Sequence, residues 1–131
     1  LKNNHALVRD GGGIILEAGC AEGMGSDDFL ASLERNGDHQ SARERIQREG
    51  YSLTDHKVLK LRHLTDPAGR GVAVALVSSG VTEEQARSAG MALFPDLAAA
   101  WRWLKGIIQG PLERRFTVAE AATCYVRVLG T

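Results

Sequence analysis

A chain of 131 residues has the length of one ordinary domain with a single hydrophobic core. Its 16 basic and 16 acidic side chains balance, so it lacks the basic excess of a nucleic-acid binder. Apolar runs such as Ile14-Ile15-Leu16 and Val72 to Val77 are far short of the roughly 20 residues that span a bilayer, which argues against a membrane role. Cys20 and Cys124 have no metal-like spacing and no signal peptide precedes them, so a reduced, cytoplasmic setting is expected. A chain that opens on Leu1, in residues of helical character, is expected to have been cut from a larger protein.

In chain order, residues 2–9 read as the end of a helix, closed by Asp10 and Gly11-Gly12-Gly13. The β-branched run Ile14-Ile15-Leu16 predicts a short buried strand. It opens into the loop Gly19-Cys20-Ala21-Glu22-Gly23-Met24-Gly25, after which Ser26 caps a helix over residues 27–35 with acids in its first turn. Ser41-Ala42-Arg43-Glu44 fits a capping box and predicts a second short helix to about Gly50. Tyr51 and Ser52 lead to a third, starting near Thr54, where Val58, Leu61 and Leu64 recur at helical spacing. Pro67 and Gly69 end it.

Val72 to Val77, apolar on both faces, predicts a central parallel strand. Thr82-Glu83-Glu84-Gln85 is another capping box, opening a helix stopped by Gly90. Met91 to Phe94 predicts a short strand and Pro95-Asp96 the start of a helix to about Ile108, broken by Gly110-Pro111. Thr117 to Glu120 could open one more turn before a last strand over residues 125–129. Alternating strands and helices predict a three-layer αβα sandwich of Rossmann or flavodoxin type, with a mainly parallel sheet of about four strands, over a single domain spanning residues 1–131.

In such sheets ligands gather beyond the carboxyl ends of the strands. That rule makes Gly19, Glu22, Gly23, Gly25 and Ser26 the candidate ligand loop, although its spacing matches neither the dinucleotide fingerprint nor a Walker motif. Tyr51, His56 and Lys57, two directional donors and a point charge near a helix start, could together hold a carboxylate or phosphate. The plainer reading makes His56, Lys60 and His63 a solvated helix face; His56 and His63 are too far apart for one-turn metal pairing. Cys20 near a helix start could be a nucleophile, but a buried structural cysteine is commoner, as expected for Cys124. Trp101 and Trp103 lie on different faces of one helix, one expected in the core and one exposed, where it could form a docking surface. Met24 and Met91 read as packing residues, and Ser78-Ser79-Gly80 could line the strand-end cleft.

Four stretches in register carry a resemblance: Val8-Arg9-Asp10-Gly11-Gly12-Gly13-Ile14-Ile15-Leu16, Cys20-Ala21-Glu22-Gly23-Met24-Gly25-Ser26-Asp27-Asp28-Phe29, Gly50-Tyr51 with His56-Lys57, and Leu76-Val77-Ser78-Ser79. Over roughly residues 1–108 the chain resembles the C-terminal domain of the nickel-pincer-dependent lactate racemase family. The resemblance implies an isomerase, a racemase or epimerase of 2-hydroxy acids. It works by hydride transfer at the α-carbon on a nickel-pincer nucleotide that a larger N-terminal catalytic domain, absent here, would hold. This chain would then be the substrate-side domain, inactive alone, with no catalytic residue and no metal ligand of its own. The resemblance assigns Lys57 to the substrate carboxylate, with Tyr51 and His56 as its neighbours. Residues 109–122 are longer than the family connection. Two other readings stand beside this one: a flavodoxin-like module holding a small anionic ligand at Gly19 to Gly25, and an interaction domain docking through Trp101.

Overall fold

The computed structural model describes residues 1, 4–112 and 114–121. After a short 3₁₀ turn at His5–Leu7 come β1 (Gly13–Glu17), α1 (Asp27–Arg35), α2 (His39–Glu49), α3 (Leu53–Thr65), β2 (Ala73–Val77), α4 (Glu83–Ser88), β3 (Ala92–Phe94) and α5 (Leu97–Ile107). The strands form one parallel sheet in the order β1-β2-β3, with Ile15 opposite Ala75 and Leu76 opposite Leu93. The α/β sandwich expected from alternating elements is therefore present, with three strands among the described residues rather than about four. The strand expected over 125–129 lies outside the described residues, as does Cys124.

Period-two alternation along β2 gives each face of the sheet its cover. Val72 and Val74 pack with Leu64 of α3, and Leu76 packs with Val81 and with Ala86 of α4. On the other face Gly13 meets α5 so closely that a Cβ there would press on Leu104 and Ile108. Glycine at the start of β1 is thus what lets α5 seat on the sheet. The helices α1 and α2 pack outside α3, where Leu33, Val58 and Ala89 form a buried cluster with Phe29, Leu30 and Leu61 around it.

The caps follow the local chemistry. Ser26 Oγ accepts from the Phe29 amide, Asp96 from the Ala99 amide, and Thr82 and Gln85 exchange both bonds of a capping box. Two expectations need correction. The second helix begins at His39, because Asp38 accepts from both the amide and the hydroxyl of Ser41 at 2.8 and 2.7 Å and so takes the cap position ahead of the serine. The first segment makes one 3₁₀ turn, not a helix end; Arg70 instead ties it down by donating to the Val8 and His5 carbonyls and pairing with Asp10 at 2.7 Å. Residues 119–121 form a turn, where one more turn was expected. Among the described residues no helix is long and apolar enough to cross a membrane.

Candidate functional site

Two loops meet beyond the carboxyl ends of β1 and β2. The Ser78 hydroxyl donates to the Gly19 carbonyl at 3.2 Å and accepts from the Gly80 amide at 3.2 Å. Gly80 lies so near this loop that an added Cβ would run into the Cys20 carbonyl oxygen. Cys20 itself takes a positive φ of 48°, a conformation that costs a non-glycine residue and that the surrounding bonds maintain. Gly80→Ala is accordingly expected to destabilise the protein by about 1–3 kcal/mol, the range for forcing extra volume into a packed contact. An unchanged urea midpoint would show that the two loops do not clasp.

The clasped loops floor an open depression of about 710 Å³ lined by Glu17, Ala18, Gly19, Val77, Ser78, Ser79 and Pro95. Of the expected ligand loop only Gly19 reaches it; Glu22, Gly23, Gly25 and Ser26 do not line it. Glu22, Asp27 and Asp28 are exposed in the loop and the first turn of α1. Three carboxylates there offset the dipole that would otherwise attract an anion.

The segment bearing Tyr51, His56 and Lys57 lies at the start of α3, toward the same end of the sheet. The last turn of α3 is bonded to the beginning of β2: the Arg70 amide donates to the His63 carbonyl and the Val72 amide to the Leu64 carbonyl, at 2.8 and 2.9 Å. Running back from there at about 1.5 Å per residue, α3 carries its first turn toward the carboxyl ends of the strands. Met24, from the loop, packs both on the cluster containing Val58 and on the cluster containing Leu76. Met24 thus joins the buried cluster that holds Val58 of α3 to the one that holds Leu76 of β2, and it acts as a packing residue, as does Met91.

Tyr51 and His56 meet edge to face with centroids 6.5 Å apart, and His56, Lys57, Lys60 and His63 are all exposed. Among the described residues Lys57 enters no ion pair. Leu53, which sequence reasoning passed over, is 86% exposed one helical turn before Lys57. The exposed side of the start of α3, with Tyr51 just before its cap, thus combines a cation, two directional donors and an uncovered apolar side chain.

Its inward side is anchored by a polar cluster that the sequence did not reveal. Asp55 is 1% exposed. Its Oδ1 accepts from the Ser32 hydroxyl at 3.0 Å and from Asn36 Nδ2 at 3.1 Å, and lies 2.7 Å from an Arg45 guanidinium nitrogen. Its Oδ2 accepts from the Ser52 amide at 3.0 Å, closing the cap of α3. Arg45 Nε in turn donates to Asn36 Oδ1 at 2.9 Å. At the far end, buried Arg62 donates to the carbonyls of Asn36, Leu33 and Ser88 and so stitches α3 to the ends of α1 and α4.

Burial pushes the Asp55 carboxyl up, but the Ser52 amide, the Arg45 guanidinium and the Ser32 hydroxyl more than offset it, holding the group well below the usual carboxylate range. A folded-state pKa below the unfolded value of about 3.9 gives stability that is fully present above that pH and is lost as pH falls through the folded value. Wild-type protein is expected to lose more stability than Asp55→Asn between neutral pH and the acid limb, followed by urea denaturation. Parallel pH profiles would remove Asp55 from the acid response.

The two tryptophans differ from expectation, since both are half-buried. Trp103 packs on Phe94 at 5.2 Å, and Trp101 lies with Lys105 and Arg115 at 5.3 and 5.1 Å from its ring. Among the described residues no three His, Cys, Asp or Glu side chains stand where they could hold one metal ion, so these residues do not fit a nickel centre.

The architecture is that of a parallel α/β sandwich whose strand-end loops and α3 first turn share one end. Among solved structures, the chain is similar in fold to the lactate racemase apoprotein from Thermoanaerobacterium thermosaccharolyticum, with a TM-score of 0.66 and 22% identity. The match covers 82% of this chain and 26% of that one. No family model and no curated protein matches the sequence.

Proposed function

We propose that this chain is the substrate-side domain of a 2-hydroxyacid racemase or epimerase and is inactive alone. The reading is supported by the fold likeness to a lactate racemase apoprotein, of which the chain spans 26%, together with the four sequence stretches of that family. The single observation that carries it is that Tyr51, just before the cap of α3, meets His56 edge to face beside exposed Lys57, at the end of α3 that lies toward the carboxyl ends of the strands.

In this reading Lys57 neutralises the carboxylate of a 2-hydroxy acid, while the Tyr51 hydroxyl and the His56 ring supply directional hydrogen bonds. Leu53 faces the apolar part of the acid or the domain that closes over it. The nickel-pincer nucleotide belongs to a separate N-terminal domain of the parent protein, and it supplies the hydride chemistry when bound. This chain contributes orientation and charge neutralisation, which a closed, water-poor site strengthens.

The test supplies the full-length protein, loaded with cofactor, with each enantiomer of a series of 2-hydroxy acids and follows their interconversion by chiral chromatography. Interconversion of at least one acid from both directions is expected. A protein that binds nickel and leaves every acid unchanged would refute the reading.

A further inference from the structure

We propose that Asp55 and Arg45 are positioning residues for Lys57: their buried pair fixes the first turn of α3 against α1 and α2, so that the ammonium is presented in one orientation. The inference rests on the racemase reading of the 51–57 segment and names the residues that hold it.

Asp55 is the third residue of α3 and Lys57 the fifth. At about 100° per residue the two point to opposite sides of the helix, one into the protein and one out. The outward turn has little to hold it, since Tyr51 is 57% and Leu53 86% exposed. Helix first turns fray, because their amides lack intrahelical partners. Here both carboxylate oxygens of Asp55 are engaged, Oδ2 on the cap amide of Ser52 and Oδ1 on side chains from α1 and α2. Arg45 also reaches Glu49 at 3.5 Å, at the end of α2 and two residues before Tyr51. One guanidinium thereby anchors both sides of the 50–52 connection.

Stability alone is a poor reason for such a cluster, because apolar side chains of similar volume often serve a buried position equally well. An ion pair with fixed partners specifies orientation as well as depth. The equivalent cluster at the far end of α3, built on Arg62, bonds to backbone carbonyls and lies seven residues beyond Asp55, away from the exposed donors. The Asp55–Arg45 pair, by contrast, lies directly behind them.

The test compares Lys57→Ala, Asp55→Asn, Arg45→Lys and the Lys57→Ala/Asp55→Asn double variant in the full-length, cofactor-loaded protein. Asp55→Asn is expected to raise KM for the hydroxy acid about tenfold with a smaller change in kcat, the scale of a lost orienting contact. Arg45→Lys keeps the charge but cannot reach Asn36, Asp55 and Glu49 together, and should raise KM in the same direction by a smaller factor than Asp55→Asn. In the double variant, Asp55→Asn should add nothing to the effect of Lys57→Ala, because both act through one side chain. A purely structural Asp55 would instead leave KM unchanged, or multiply its effect fully onto Lys57→Ala, and either result overturns the proposal. Should Asp55→Asn fail to fold, Arg45→Gln is read the same way. If Lys57→Ala itself has no effect, the carboxylate reading of Lys57 fails. Amide exchange over residues 52–58 then decides the positioning claim: faster exchange confined to that turn in Asp55→Asn sustains it, and unchanged protection ends it.

Discussion

Lys57→Ala in the full-length protein is expected to lower kcat/KM for 2-hydroxy acid interconversion by about one to three orders of magnitude, the usual loss when one preorganised charge is withdrawn from a reacting group. The size follows from where the side chain stands. A cation near a helix N-terminus meets the positive end of the dipole, which does not favour the helix but adds to the local potential that draws an anion. Lys57 is exposed and enters no ion pair among the described residues. Removal of an exposed side chain should change the denaturation midpoint little. Lys57→Arg keeps the charge but spreads it over a planar fork, and is expected to retain part of the activity. Wild-type kinetics in Lys57→Ala would place the carboxylate elsewhere.

Asp55→Ala is expected to cost about 3–5 kcal/mol of stability, the range for stripping one partner from a buried pair. The substitution leaves the Arg45 guanidinium without its 2.7 Å carboxylate, removes the acceptor of Ser32 and Asn36, and opens the cap at Ser52. Arg45 keeps some access to water, with 15% of its side chain exposed, so the lower part of the range is favoured. Urea denaturation of the protein and its variant gives the difference directly, provided the slopes agree. A midpoint within experimental error of wild type would mean that the cluster carries no net stability.

The fold was legible where local chemistry and burial agree. The run Ile14-Ile15-Leu16 is β1, the apolar run from Val72 covers β2, and the Ser26 and Thr82 caps stand where expected. The start of α2 was misread because Asp38 and Ser41 both have capping side chains, and the carboxylate, with two acceptor oxygens, captured the serine. In the first residues helical propensity gave way to tertiary bonds from Arg70, which sequence pattern alone does not reveal.

The site was legible in part. Tyr51, His56 and Lys57 are all exposed, Tyr51 just before the cap of α3 and the other two on the helix, while the depression at the strand ends takes only Gly19 from the ligand loop. The buried cluster escaped notice because Ser32, Asn36, Arg45 and Asp55 are residues that ordinarily stay in water. A signal was present all the same. Asp55 and Arg62 fall three residues before and four after buried Val58, on the same helical stripe, and polar residues on an apolar stripe imply partners.

The most direct test of a carboxylate held at the first turn of α3 is reductive methylation of the full-length protein with and without a saturating 2-hydroxy acid, followed residue by residue with mass spectrometry. The account requires Lys57 to be labelled readily in the free protein and to be shielded when the acid is bound, while Lys60, one turn away, reacts equally in both. Equal labelling of Lys57 with and without a bound acid would contradict it.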